Sequence, residues 1–282
     1  MTRDRWRRAL SHLIVVLCGV SVILALIPLA LVLFYVLAQG ITSLNLAFFT
    51  EMPRPVGETG GGMANSIAGS VLVICLGAIF AIPVGIMSGI YAAEYAGTRL
   101  AGAVRFAADT LNGVPSIVIG VFVYTIAVLP FRRFSALAGG LALGVMMIPL
   151  IMRTTEELLK LVPSTLHEGA LALGATRARA VFTVVVPATL PGIVTGILLA
   201  LARIAGETAP LLFTALNNQF WTTDVLQPIS TLTVQVFVYA SSPYADWHRQ
   251  AWAGALVLVS LVLLCSLLAR VATARMEKLH RG

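Results

Sequence analysis

Unbroken apolar runs constrain this chain more than any other feature. The first, residues 13–38, has no charged residue, and its length of about 26 exceeds the ~20 that an α-helix needs to cross a bilayer core. In that core only helices and closed barrels satisfy their own backbone polar groups. With 59% hydrophobic and 11% charged residues, the chain is expected to be an all-α polytopic membrane protein and not a soluble enzyme. Six transmembrane helices are read at residues 13–38, 66–93, 107–131, 136–152, 190–216 and 251–269. An even number puts both termini on one side.

The basic residues choose the side. Apart from Arg203, only Arg54, Arg132, Arg133 and Arg249 of the 19 lysines and arginines fall in the odd-numbered connections. The rest lie in the two tails and the even connections, so the positive-inside rule predicts cytoplasmic termini. The net charge of +7 is then a topology signal spread along membrane edges, and it argues against a nucleic-acid partner. Trp221, Trp247 and Trp252 are expected as aromatic anchors at the outer interface, in contact with membrane lipid. The basic start and the "VLA" at 36–38 imitate a signal peptide, but the apolar run is too long for a signal core of about 7–15 residues, so an uncleaved anchor helix is expected. Cys18, Cys75 and Cys265 are too scattered for a disulfide framework or a metal site.

Three connections are long enough to carry function. The first, 39–65, contains "MPRPVGETGGGMANS", whose glycines suit a turn and could also present N–H groups to an anion. The fifth, 217–250, is polar and aromatic and is expected to face solvent or a partner. The fourth, 153–189, is the most informative of the three. Pro83, Pro115, Pro149 and Pro210 interrupt four of the last five spans; such prolines mark helices packed in a bundle. The "NGVPS" at 112–116 is the strongest break outside span 5, and it suits either packing or the lining of a pathway.

"LARIAGETAP" at 201–210 places Arg203 and Glu207 four residues apart within span 5. A central arginine costs about 2.5–3.5 kcal/mol on insertion scales and must face the bundle interior or an aqueous path. In a continuous helix its face would carry Gly196, Leu199, Ala200, Gly206, Glu207, Pro210 and Thr214, opposite Val194, Leu198, Leu201 and Leu212; Pro210, whose ring crowds the Gly206 carbonyl, is expected to kink the helix beside the charges. The arginine could offer paired hydrogen bonds to a phosphate-like anion, with Glu207 in reach as a competitor. A buried structural ion pair and a proton relay through Glu207 are the alternatives to this anion pathway.

In the fourth connection, Pro163 and the capping-box spacing of Thr165 and Glu168 predict a short helix ended by Gly174, and Thr176 should cap a second helix running to Pro187. The run "VPSTLHEGALALGATRARAVFTVVVPATLPG" resembles the cytoplasmic loop of ATP-binding-cassette importer permeases. Glu168, Ala170, Gly174 and Pro187 stand at that motif's spacing, while Gly169, Val184 and Val186 depart from its residue types. The resemblance implies a type I importer permease architecture and a loop that docks on a separate ATPase, with Glu168, Gly169, Ala170, Gly174 and Pro187 in the coupling role.

"RIAGETAPLLFTA" at 203–215, "MIPLIMRTTEELLKLVP" at 147–163 and "GGMANSIAGSVL" at 61–72 are similar to the A-type membrane subunits of bacterial phosphate importers. That likeness implies passage of inorganic phosphate past Arg203 and Glu207 in the cytoplasmic (inner) membrane. It also implies three partners: a second permease of related sequence, a pair of ATPase subunits and a periplasmic phosphate-binding protein. It divides the chain into 1–60 (tail, anchor helix and first loop), 61–270 (permease core with its coupling loop at 153–189) and a tail at 271–282. Neither Lys160 nor Lys278 lies in a phosphate-cradling Gly-x-x-x-x-Gly-Lys loop, so the chain is expected to be a transporter subunit and no enzyme, and no cofactor is implied. A secondary transporter or channel for an oxyanion is the competing reading, although internal repeats typical of many such proteins are not found.

Overall fold

The structure is a computed structural model that describes residues 3–58 and 60–280. Thr59 of the glycine-rich connection and Arg281 of the basic tail lie outside the described residues. In chain order the helices are α1 (Arg3–Gly40), α2 (Leu46–Thr50), α3 (Ala64–Glu94), α4 (Arg99–Gly113), α5 (Ser116–Phe131), α6 (Ala136–Lys160), α7 (Ser164–Ala172), α8 (Arg177–Ile204), α9 (Ala209–Thr214), α10 (Leu232–Ala240) and α11 (Ala245–His280). No strand occurs among the described residues. Five of these helices, α1, α3, α6, α8 and α11, have segments long and apolar enough to cross a membrane, and the pair α4–α5 makes a sixth crossing if counted as one bent span.

That bend is the first departure from the expected spans. α4 and α5 meet at 107° instead of forming one rod over 107–131. Val114 precedes a proline and is held extended at ψ 130°, and Pro115 follows at ψ 137°. Span 5 is interrupted beside the charges, where Pro210 predicts a kink, and the kink is a full break: α8 stops at Ile204 and α9 begins only at Ala209. Pro210 has no N–H, and in a continuous helix its ring would crowd the carbonyl of Gly206.

The closest helix pair is α3 against α6. Along α3, Gly69, Val73, Gly77, Ala81, Gly85 and Gly89 recur at every fourth position, and all are buried. A Cβ on Gly77 would lie 2.9 Å from the carbonyl oxygen of Gly140, and one on Gly140 would lie 2.6 Å from the Leu76 Cβ. Two backbones can approach so closely only through small residues, which is how helices associate in lipid, where apolar surface gains nothing by leaving its solvent. Leu143, Met147 and Ile151 of α6 then pack with Ala200, Ile204 and Leu211 around the seam.

α1 stands apart. Its apolar length is exposed, and it meets the bundle near its end, where a Cβ on Gly40 would touch Leu256 and Trp252 of α11. Tyr35 packs edge-on to Trp252, and Trp247 stacks on Tyr239, while Trp221 is exposed. In the first connection the N–H groups of Gly62 and Met63 donate to Met52 and Phe48 carbonyls, closing a turn over buried Phe48 and Met63. The fifth connection does not simply face outward, as its polarity suggested. It folds back so that Ile229 through Gln235 are buried, and several of their polar groups find partners: Ser230 Oγ lies 2.7 Å from Ser66 Oγ, and the Leu232 N–H donates to Ser70 Oγ at 2.7 Å.

Gly77→Leu is expected to force the α3–α6 seam apart and to destabilise the protein by about 3 kcal/mol. Gly102→Ala, in α4 where an added Cβ meets nothing within 4 Å, should instead stabilise by about 1 kcal/mol or less. Thermal unfolding of the purified protein in detergent measures both.

Candidate functional site

Where α8 runs out, its backbone tightens before it breaks. The Ala205 N–H still reaches the Leu201 carbonyl at 3.0 Å, but Gly206 and Glu207 donate three residues back, to Arg203 at 3.3 Å and Ile204 at 3.0 Å. The helical register therefore changes between Arg203 and Glu207, and the single face assumed from the sequence is divided. Gly196, Ala200, Pro210 and Thr214 are buried, whereas Arg203 is exposed on the same side of α8 as Leu199. Arg203 and Glu207 do not form an ion pair, and neither side chain has a hydrogen-bond partner among the described residues. The break is packed from the side by α5, since a Cβ on Gly120 would lie 2.6 Å from the Cα of Pro210. The second arm of the bent pair thus packs on the first turn of α9, beside the break in span 5.

The connection after α6 forms a protruding helical hairpin. α7 begins at Ser164 behind Pro163, which offers no side-chain cap, so Thr165 and Glu168 lie inside the helix and the expected capping box does not form. Gly174 ends the turn with φ +85°, and the Ala175 N–H returns to the Ala170 carbonyl at 3.1 Å. Thr176 caps the next helix, its hydroxyl accepting from the Arg179 N–H at 3.3 Å. That helix does not end at Pro187 but continues into the crossing. The π-turn Val181–Val185 widens the backbone just before the proline, and the π-turn Tyr124–Val128 does the same before Pro130. Glu168, Gly169, Gly174 and Pro187 are exposed, Ala170 is partly so, and Leu173 stands 91% exposed at the tip. Arg177 fastens the hairpin to the end of α3: it donates to the Glu94 carbonyl, lies 3.4 Å from the Glu94 carboxylate and sits 4.8 Å over the Tyr95 ring.

Beside this anchor is a charge cluster that reading the basic residues only as topology markers had missed. Glu156 is fully buried and accepts from Arg105 Nε at 2.5 Å, Lys160 Nζ at 2.6 Å and Arg153 Nη1 at 3.1 Å. Arg153 also pairs with Asp109, and Arg105 donates to the carbonyls of Ala92 at 2.5 Å and Ala96 at 3.2 Å. Arg153, Glu156 and Lys160 share one face of α6 at i, i+3 and i+7 spacing, a signal visible in the sequence. Arg105 arrives from another helix and gave no such signal. Among the described residues no group of His, Cys, Asp and Glu is placed to hold a metal ion.

The arrangement is that of a membrane bundle with a rigid hairpin at one end and an unpaired arginine at a broken crossing. Residues 81–279 match the family described as "Binding-protein-dependent transport system inner membrane component". The phosphate transport system permease protein PstA of Yersinia pestis is 48% identical over 97% of this chain and 93% of its own length. The chain belongs to the PstA family of permeases.

Solved permeases of ATP-binding-cassette importers share the family's fold at low identity. A bacterial alginate transporter, crystallised with its pentasaccharide-bound periplasmic protein, aligns with TM-score 0.68 at 14% identity over 97% of both chains. The inward-facing methionine transporter MetNI aligns with TM-score 0.59 at 20% identity over 75% of this chain and 93% of its own. The fold is the type I importer permease architecture, as the loop motif implied.

Removing the negative charge that three cations share should be costly. Glu156→Gln is expected to destabilise by about 3 kcal/mol, the low end for an orphaned buried ion pair because its cationic partners keep some water. Lys160→Met, at the more exposed rim, should cost under about 1 kcal/mol. Thermal unfolding of the two variants side by side checks the difference.

Proposed function

We propose that this chain is the membrane permease subunit of an ATP-driven importer that moves inorganic phosphate across the bacterial cytoplasmic membrane. The observation that supports phosphate most directly is Arg203, an arginine without a side-chain partner at the break of a crossing helix. A guanidinium so placed offers two parallel N–H donors to a tetrahedral oxyanion. It stands on an outer side of this chain's bundle, so the path needs a second wall. A second permease of related sequence supplies that wall, and phosphate passes between the two subunits. Glu207, beyond the register change, is the second pathway residue. It lowers the chance that an anion is trapped by the cation, as conduction requires.

The exposed hairpin is the seat for the ATPase subunits, with Glu168, Gly169, Ala170, Gly174 and Pro187 in or beside the contact. Both termini and this hairpin then face the cytoplasm, in accord with the basic residues at that level. A periplasmic phosphate-binding protein delivers the anion to the opposite face. The Arg177 contacts with Glu94 and Tyr95 make the hairpin one body with the end of α3, so a push on the hairpin reaches the crossing helices without loss in a loose joint.

Arg203→Gln should lower phosphate uptake by about a hundredfold, the rate equivalent of the ~3 kcal/mol that a hydrogen bond to a charged group contributes, with the complex still assembled. Radiolabelled phosphate uptake by cells depending on this importer measures it, and wild-type uptake would overturn the assignment. Glu168→Lys reverses a charge on the hairpin and is expected to weaken co-purification of the ATPase subunits and to lower uptake about tenfold or more. Unchanged co-purification together with unchanged uptake would count against the docking role.

A further inference from the structure

The break in span 5 leaves a backbone carbonyl without its helical donor. In a continuous helix the Glu207 carbonyl would accept from the N–H of Leu211, but Leu211 and Leu212 both donate to Thr208, at 3.1 and 3.2 Å. The hydroxyl of Thr233, on α10, reaches across and donates to the Glu207 carbonyl at 2.9 Å. Thr233 is buried, so no bulk water would replace it.

We propose that Thr233 is a positioning residue for phosphate passage, its hydroxyl fixing the unwound backbone from which Arg203 and Glu207 project. The inference rests on the pathway role given to Arg203 above. Three features carry it beyond a single hydrogen bond. The Arg203 side chain has no hydrogen bond or ion pair to orient it among the described residues, so its location depends on its backbone. α10 grips α9 from both sides, through Thr233 to Glu207 before it and through Gln235 Oε1, which accepts from Asn217 Nδ2 at 2.9 Å after it. α10 is itself fastened to α3, by the Leu232 N–H on Ser70 Oγ and by the Ser66–Ser230 hydroxyl pair. The unwound segment is thereby referred to α3, one half of the most closely packed helix pair of the bundle.

The test compares Thr233→Val, which keeps the shape and removes the donor, with Thr233→Ser, which keeps the donor. Uptake of radiolabelled inorganic phosphate is measured with the complete importer in cells, per copy of this chain in the membrane, at limiting and saturating phosphate. Thr233→Val should transport at about one-tenth of the wild-type rate at saturation, with an unchanged half-saturating concentration because capture belongs to a separate protein. Thr233→Ser should stay within about twofold of wild type. Full per-copy activity in Thr233→Val, or equal loss in both variants, would overturn the proposal. Arg203→Gln is run in parallel: if it transports normally the pathway reading fails, and if it abolishes uptake while Thr233→Val does not, only the role of Thr233 falls.

Discussion

The contact on which the remaining structure depends is the seam between α3 and α6. Lipid gives two apolar helices no hydrophobic reason to associate, so their attraction comes from dispersion at close range. The glycines and alanines spaced four apart on α3, opposite Gly140 and Gly144, provide that range over much of the helix length. With α3 and α6 fixed to each other, both ends of the pair become platforms. At one end the Ala92, Glu94 and Glu156 level holds α4 and the hairpin. At the other, Asn65, Ser66 and Ser70 hold Asn218, Ser230 and Leu232 of the returning fifth connection.

Between those platforms two crossings are interrupted, and the membrane dictates how. Non-helical backbone at bilayer depth is tolerated only where other groups satisfy it or where it borders water. The α8–α9 interruption meets the first condition through Thr233 and through the tightened bonds of Gly206 and Glu207. The exposed Arg203 beside it suits the second. Because Gly120 of α5 packs on Pro210, the bent pair supports the broken helix from the side.

What the sequence made legible was local. The number of crossings follows from apolar length, and the end at Gly174 and the cap at Thr176 follow from one residue's backbone freedom or one hydroxyl. What stayed hidden depends on partners distant in sequence. Pro210 signalled a kink beside the charges, but the face drawn around Arg203 kept one register through Gly206, and the helix gives way a few residues before the proline. The fifth connection looked solvated because serine, threonine and glutamine are polar; burial became affordable only when Ser66, Ser70 and Asn217 were brought opposite them. Arg105 looked like a membrane-edge charge until α4 turned it onto Glu156.

The Glu156 cluster shows why such a group can persist where helices meet. Burying one carboxylate is expensive, and the attraction of nearby cations only partly offsets the desolvation, so the cluster is a weak source of net stability. Its value is in discrimination. A shift of α4 by one turn would carry Arg105 about 5 Å from Glu156 and from the Ala92 carbonyl, leaving the buried carboxylate short of one cation and the end of α3 bare together. Apolar contacts such as Ala101 and Ala108 against the bundle would tolerate that slide far better than the charges do. The charged contacts therefore fix the register of α4, and with it the position from which α5 meets the broken crossing.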